Sequence, residues 1–338
     1  MTKLRVQTGG KLYLAGEYSV LTPGQSALIA FIPIYMQAEI QFAEEYLIQS
    51  DLFDFSVTMQ PQADYSLIQE TISVMEEFLF LNGKRTLPLH LSLTGKFERD
   101  GKKFGIGSSG SVVVLTIKAM ASLYQFDLSP DLLFRLSSLV LIRRGDNGSM
   151  GDLACIAYEQ LVYYQSFCRD RIAKEMTKWD LLGLLDLEWG YVIEPVQNKL
   201  TCDFLVGWTE EPAISSDLVR QIKSAIYSDF LAKTQKAVLL LREAISLGDK
   251  KIVKHKVEEV SQLLISLSPQ IYTKRLARLK ESEINLDVIA KSSGAGGGDC
   301  GIALSFDSSS TTELLRRWEK EGITLLYKER MGLNESKR

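Results

Sequence analysis

Three glycine-rich strings, far apart in the chain, constrain its fold more than any other feature. They are GGKLYLAGEY (Gly9 to Tyr18), GIGSSGS (Gly105 to Ser111) and GAGGGDCG (Gly294 to Gly301). Glycine lets backbone N–H groups approach an anion closely, and a helix N-terminus behind such a loop adds a favourable dipole. The middle string fits this best. Lys102 and Lys103 precede it, and an apolar stretch over 111–124, too long for a strand, follows it. Its serine hydroxyls can donate to phosphate or ligate magnesium. Lys103, Gly105, Ile106, Gly107, Ser108, Ser109, Gly110 and Ser111 are therefore read as a phosphate cradle, the alternative being a flexible turn.

The spacing Gly105, Gly107, Gly110 also satisfies GxGxxG, and Val112 extends it to GxGxxGxV. A dinucleotide fold needs a buried strand directly before the glycines. Here KFERDGKKF, a charged turn, stands there, although Asp127 is roughly placed for a ribose contact. A protein kinase needs HRD and DFG, and neither string occurs. A Walker A loop needs lysine after the last glycine, where this chain has Ser111.

The 338 residues suit two domains. Lys plus Arg number 39 and Asp plus Glu 42, a net charge of −3, which argues against a general nucleic-acid binder. Cys155, Cys168, Cys202 and Cys300 are scattered without CxxC spacing and read as reduced thiols of a cytoplasmic protein. No signal-peptide pattern opens the sequence, and no apolar run reaches the roughly 18 residues of a membrane span. His90 and His255 are the only histidines, so a His triad or multi-His metal site is not expected.

Strands are expected at 11–15, 27–42 and 89–94, and helices at 64–82, 111–124 and 130–143, the last capped by Ser129 with Pro130 behind it. Residues 145–151 read as a polar loop. Further strands at 191–196 and 202–207 flank the expected domain boundary, which divides the chain into 1–190 and 191–338. Helices follow at 217–247, closed by Gly248, and at 250–267 and 270–282. A β-α-β pattern closes the sequence: a strand at 301–306, a helix at 310–321 with Ser310 and Glu313 as a capping box, and a strand at 323–328.

GKLYLAGEYSVLTPG, KKFGIGSSGS and KSSGAGGGDCG, in that order, resemble the three motifs of the GHMP kinases, and the resemblance spans essentially the whole chain. It implies an α+β fold of two domains: a β-α N-terminal, ATP-binding domain, a ferredoxin-like helical C-terminal domain, and an active site in the cleft between. Lys103, Asp299 and the string NGSMGDLA are similar to the branch that phosphorylates phosphomevalonate. The implied reaction is transfer of a phosphoryl group from ATP, with Mg²⁺, onto the phosphate of (R)-5-phosphomevalonate in isoprenoid synthesis. Mevalonate kinase or another small-molecule kinase of the family is the alternative, followed by a non-catalytic relative.

The resemblance assigns Lys11 and Asp152 as catalytic, residues 105–111 and Lys103 to the ATP phosphates, and Ser109 to the metal. It assigns Ser293, Gly294, Ala295 and Gly296 to the acceptor side, with Tyr18, Asn147 and Ser149 as further substrate contacts. Arg143 or Arg144 would add positive charge. One position departs from the pattern. Leu141 stands where mevalonate kinase carries a magnesium-binding glutamate, so either the metal has fewer protein ligands or a carboxylate such as Asp146 substitutes.

Overall fold

The structure, a computed structural model, describes residues 3–146, 148–213 and 216–332. β1 (Leu4–Ala15) and β2 (Ser26–Phe42) form a long antiparallel pair that sets Lys11 opposite Phe31. The β-branched and aromatic residues of β2 suit a pleated surface. Its Pro33, which has no N–H, lies where the register slips between Thr8–Met36 and Gly10–Ile32. β3 (Leu47–Ser50), β4 (Leu89–Thr94), β7 (Val162–Gln165) and β8 (Val192–Pro195) complete the first sheet in the order β3-β4-β2-β7-β8, with β1 on β2. The short hairpin of β5 (Glu98–Arg99) and β6 (Lys102–Lys103) leads into the middle glycine string. α2 (Ser108–Leu123) and α4 (Gly151–Tyr158) pack on this sheet, with α1 (Ser66–Leu81) and α3 (Pro130–Arg143) against them. α5 (Arg169–Glu175) and α6 (Leu181–Asp186) follow β7.

The second sheet is antiparallel, in the order β10-β11-β9-β12: β9 (Cys202–Trp208), β10 (Val288–Ser292), β11 (Cys300–Ser305) and β12 (Thr324–Met331). Between β9 and β10 run α7 (Ser216–Ser224), α8 (Ser228–Leu247), α9 (Lys250–Leu267) and α10 (Lys274–Glu281). α11 (Ser308–Lys320) joins β11 to β12. With the helical segment counted once this is the βαββαβ order of the ferredoxin-like fold. α8 packs against β1 and β2 and α9 against β1, so one apolar core runs from Leu12 and Ile29 to Ile302 and Leu304. Among the described residues no helix is long and apolar enough to cross a membrane.

Several expectations shift. β8 lies past 190 yet pairs with β7, so the first sheet extends to residue 195. The single helix expected over 217–247 is two, because Tyr227 adopts extended backbone (φ −121°, ψ 160°) between them. The helix expected from 270 begins at Lys274, after a 3₁₀ turn at Pro269–Ile271 and an N-cap at Thr273. α11 is capped by Asp307, not Ser310. The Asp307 carboxylate accepts from the backbone N–H of Ser310 at 2.8 Å and from its hydroxyl at 2.6 Å, so the helix starts two residues early. Glu313, freed from a capping box, pairs with Arg316 and Arg317. The loop expected at 145–151 gives way at Gly151 to α4, a helix the periodicity did not reveal.

Candidate active site

β1 organises the site because Lys11 and Tyr13, two residues apart, share one face of the strand. The backbone N–H of Lys11 donates to the carbonyl of Ile106 at 2.8 Å, binding the strand to the middle glycine string. Gly107 caps α2 in the left-handed region (φ 92°), and a Cβ there would come within 3.0 Å of Lys11 Cε. Gly110, one turn on, faces the other functional side chain: its Cβ would lie 2.8 Å from Asp152 Oδ2. Gly107 is thus required by its backbone conformation and Gly110 by close approach, and they bring Lys11 and Asp152 to the start of α2.

The first turn of α2 offers backbone N–H groups that have no acceptor within the helix. Ser109 is exposed there and Ser108 half-buried. Ser111 plays a different part. Its hydroxyl is buried and donates to the carbonyls of Gly9 (2.9 Å) and Gly107 (3.0 Å), so it fastens the loop to β1. Ile106 is likewise buried and contributes backbone alone. Lys103 is exposed on β6, and its carbonyl accepts from the Trp208 indole at 3.1 Å.

Asp152 lies in the first turn of α4. Burial pushes its carboxyl above the ordinary carboxylate range; Lys11 and the N–H of Leu153 pull it back, and Asp146 adds to the rise. Asp146 itself is exposed and accepts from the N–H of Gly148 at 2.6 Å. Ser149 is buried, within 3.2 Å of the Tyr13 hydroxyl. Asn147 falls outside the described residues.

The third string closes on β1 from the second sheet. The Ser293 hydroxyl bridges both backbone groups of Tyr13, accepting from its N–H and donating to its carbonyl, each at 2.9 Å. The Tyr18 hydroxyl donates to the carbonyl of Ala295 at 2.6 Å. Gly294 has open space about it, whereas Gly296 packs on Ile271. Asp299 turns in the left-handed region (φ 54°) and packs against Gly105, where a Cβ would meet its carboxylate at 2.3 Å. Burial pushes its carboxyl up to about 6, against the pull of the Ala213 N–H, Lys11 and Lys103. Cys300 packs beneath, its thiol directed at the carbonyl of Phe104.

Lys11, Asp152, the α2 N-terminus and the third loop therefore lie together. The expected arginines do not join them: Arg143 pairs with Glu77 at 2.7 Å and Arg144 with the Ser66 hydroxyl at 3.2 Å. Leu141 is buried in α3. Among the described residues no three His, Cys, Asp or Glu side chains gather as a metal cluster. A cavity of about 520 Å³ lined by Glu210, Arg275, Trp318 and Thr324 contains none of the residues above. Sequence reasoning missed Tyr13, Glu17 and Lys291. The last two form a buried ion pair, and their signal was a lone charge inside an otherwise apolar or glycine-rich string.

Residues 66–160 match the family described as the GHMP kinases N terminal domain. Over 351 residues the chain is 30% identical to the phosphomevalonate kinase of Streptomyces sp. (strain CL190), covering 93% of each. It superposes on the Streptococcus pneumoniae phosphomevalonate kinase in complex with phosphomevalonate and AMPPNP, with a TM-score of 0.96 and 54% identity over 97% of this chain and 100% of that one. The Methanococcus jannaschii mevalonate kinase, at 19% identity over 98% of this chain and 99% of that one, shares the fold with a TM-score of 0.75.

Proposed function

Because this chain belongs to the phosphomevalonate kinases of the GHMP kinase family, we propose that it transfers the γ-phosphoryl group of ATP to the phosphate of (R)-5-phosphomevalonate, giving 5-diphosphomevalonate and ADP. The observation that carries this reading is the meeting of Lys11, Asp152 and two glycine loops beside the N-terminus of α2. We place the reaction in the cytoplasm, and assign residues through 195 to the ATP-binding unit and the remainder to the closing one.

Phosphoryl transfer asks for positioning and charge neutralisation more than covalent chemistry. A phosphate monoester has a second pKa of about 6, so the acceptor is largely a dianion at neutral pH and needs no strong base. Asp152 accordingly orients Lys11 and the acceptor. Two anionic phosphates repel each other, and Lys11, Lys103 and the free N–H groups of α2 oppose that repulsion. Mg²⁺ retains waters and takes few protein ligands besides substrate phosphates, which fits the sparse carboxylates here; the exposed Ser109 hydroxyl is the group that would hold it. Bound there, the ion supplies further neutralisation of the transferring group. Ser149, Tyr18 and the loop Ser293–Gly296 line the acceptor side.

The test is steady-state turnover in a coupled ADP-release assay with phosphomevalonate and with mevalonate. Lys11→Ala is expected to lower kcat by roughly 10²-fold or more, as for loss of a preorganised charge-stabilising group. Asp152→Asn is expected to cost less than the roughly 10²–10⁴-fold of a lost general base. Wild-type turnover in Lys11→Ala, or a preference for mevalonate, would overturn the assignment.

A further inference from the structure

Tyr13 has no part in the reaction as described, yet it meets Lys11, Ser149 and Ser293. The Ser293 hydroxyl clamps both of its backbone groups. The Lys11 ammonium lies 5.2 Å from the centre of its ring. Its hydroxyl lies 3.2 Å from Ser149 Oγ, which accepts from the N–H of Gly151 at 3.1 Å, while the Tyr164 hydroxyl holds the Ser149 carbonyl at 2.6 Å. Gly151 leaves the space this needs: a Cβ there would sit 2.8 Å from the Tyr13 hydroxyl oxygen.

The two ends of the side chain act on different partners. A cation over an aromatic face is attracted by the ring quadrupole, more so when removed from water, and Lys11 is itself buried. A flexible lysine would otherwise sample many rotamers; the ring restricts its ammonium to one side of the strand. The hydroxyl in turn fixes a serine whose loop runs directly into Asp152. Burial, reinforced by Asp152, pushes the phenol well above its ordinary value, so it stays protonated at neutral pH.

We propose that Tyr13 is a positioning residue with two separable actions: its ring seats the Lys11 ammonium for phosphoryl transfer, and its hydroxyl holds Ser149 in place for the acceptor. This rests on the assignment of Lys11 to the transferred group and Ser149 to the acceptor.

The experiment separates ring from hydroxyl in the full-length protein, with melting curves on every variant. Tyr13→Phe keeps the ring; kcat is expected to stay within about threefold of wild type while KM for phosphomevalonate rises and KM for ATP does not. Tyr13→Leu removes the ring, and kcat is expected to fall about tenfold further, about 1.4 kcal/mol of barrier. Should Tyr13→Leu not fold, phenylalanines carrying one, two and three fluorines at position 13 weaken the quadrupole at nearly constant shape. Turnover is then expected to fall stepwise with fluorination. A flat fluorine series, or a folded Tyr13→Leu with wild-type kcat, overturns the ring's role. Unchanged acceptor KM in Tyr13→Phe overturns the hydroxyl's. Lys11→Met distinguishes the two levels: wild-type turnover there sinks the kinase assignment itself, whereas a dead Lys11→Met beside an indifferent Tyr13→Leu sinks only this inference.

Discussion

Asp299 packs its carboxylate against Gly105 of the middle glycine string, and burial there raises its pKa. An aspartate ordinarily titrates near 3.9, and here the value is about 6, chiefly because the group is buried. Between those values the folded protein holds a proton that the unfolded chain has released. The group therefore lowers stability as pH rises from about 4 to 6, and the penalty persists above 6. Asp299→Asn keeps the shape and can still accept from the Ala213 N–H. Its melting temperature is expected to exceed that of the wild type at pH 8 and to match it at pH 4. Melting temperatures that coincide throughout would show that the carboxyl titrates normally.

At the scale of elements, α2 joins two demands that conflict. A glycine in a helix is ordinarily worse than alanine by about 1 kcal/mol, so Gly110→Ala should stabilise an isolated helix. In the fold the added Cβ would meet Asp152 Oδ2 at 2.8 Å. Gly110→Ala is expected to lower kcat at least tenfold by displacing that carboxylate, with no gain in melting temperature; full activity would show that Asp152 has room to move. The glycine strings, β2, α1, α3 and α9 were legible because their signals are local: punctuation, alternation, a Ser129-Pro130 start. α4 was not, since its N-cap is Met150 in the left-handed region (φ 65°) with no capping side chain. The break before α8 was equally silent, because Tyr227 caps nothing with its side chain. Lys11, Ser109 and Asp152, which we assign to the site, were proposed from the resemblance that their strings carry. Tyr13 was not, because its value lies in contacts reaching as far as 280 residues along the chain.

Across the whole molecule, Glu17 and Lys291 pin the two sheets together. Glu17 follows β1, Lys291 sits on β10, and they are 3% and 0% exposed, so the pair is fully desolvated. Lys291 also donates to the carbonyl of Ser292. Burial holds its ammonium below the ordinary lysine value while Glu17 resists. Breaking such a pair strands a charge and typically costs about 3–5 kcal/mol, whereas replacing both partners is often far milder. Lys291→Met should therefore cost about 3–5 kcal/mol in urea unfolding, and adding Glu17→Gln should recover most of the loss. A single substitution costing under about 1 kcal/mol would mean that water reaches the pair.

The Ser293 clamp on Tyr13 has a consequence for the chain as it is made. A ribosome delivers β1 and the phosphate loop long before residue 293 leaves its exit tunnel. Until then the strand that carries Lys11 lacks the hydroxyl that grips its backbone 280 positions upstream. A half-synthesised polypeptide thus carries this strand without the hydroxyl that grips it, and the two are joined only late in translation.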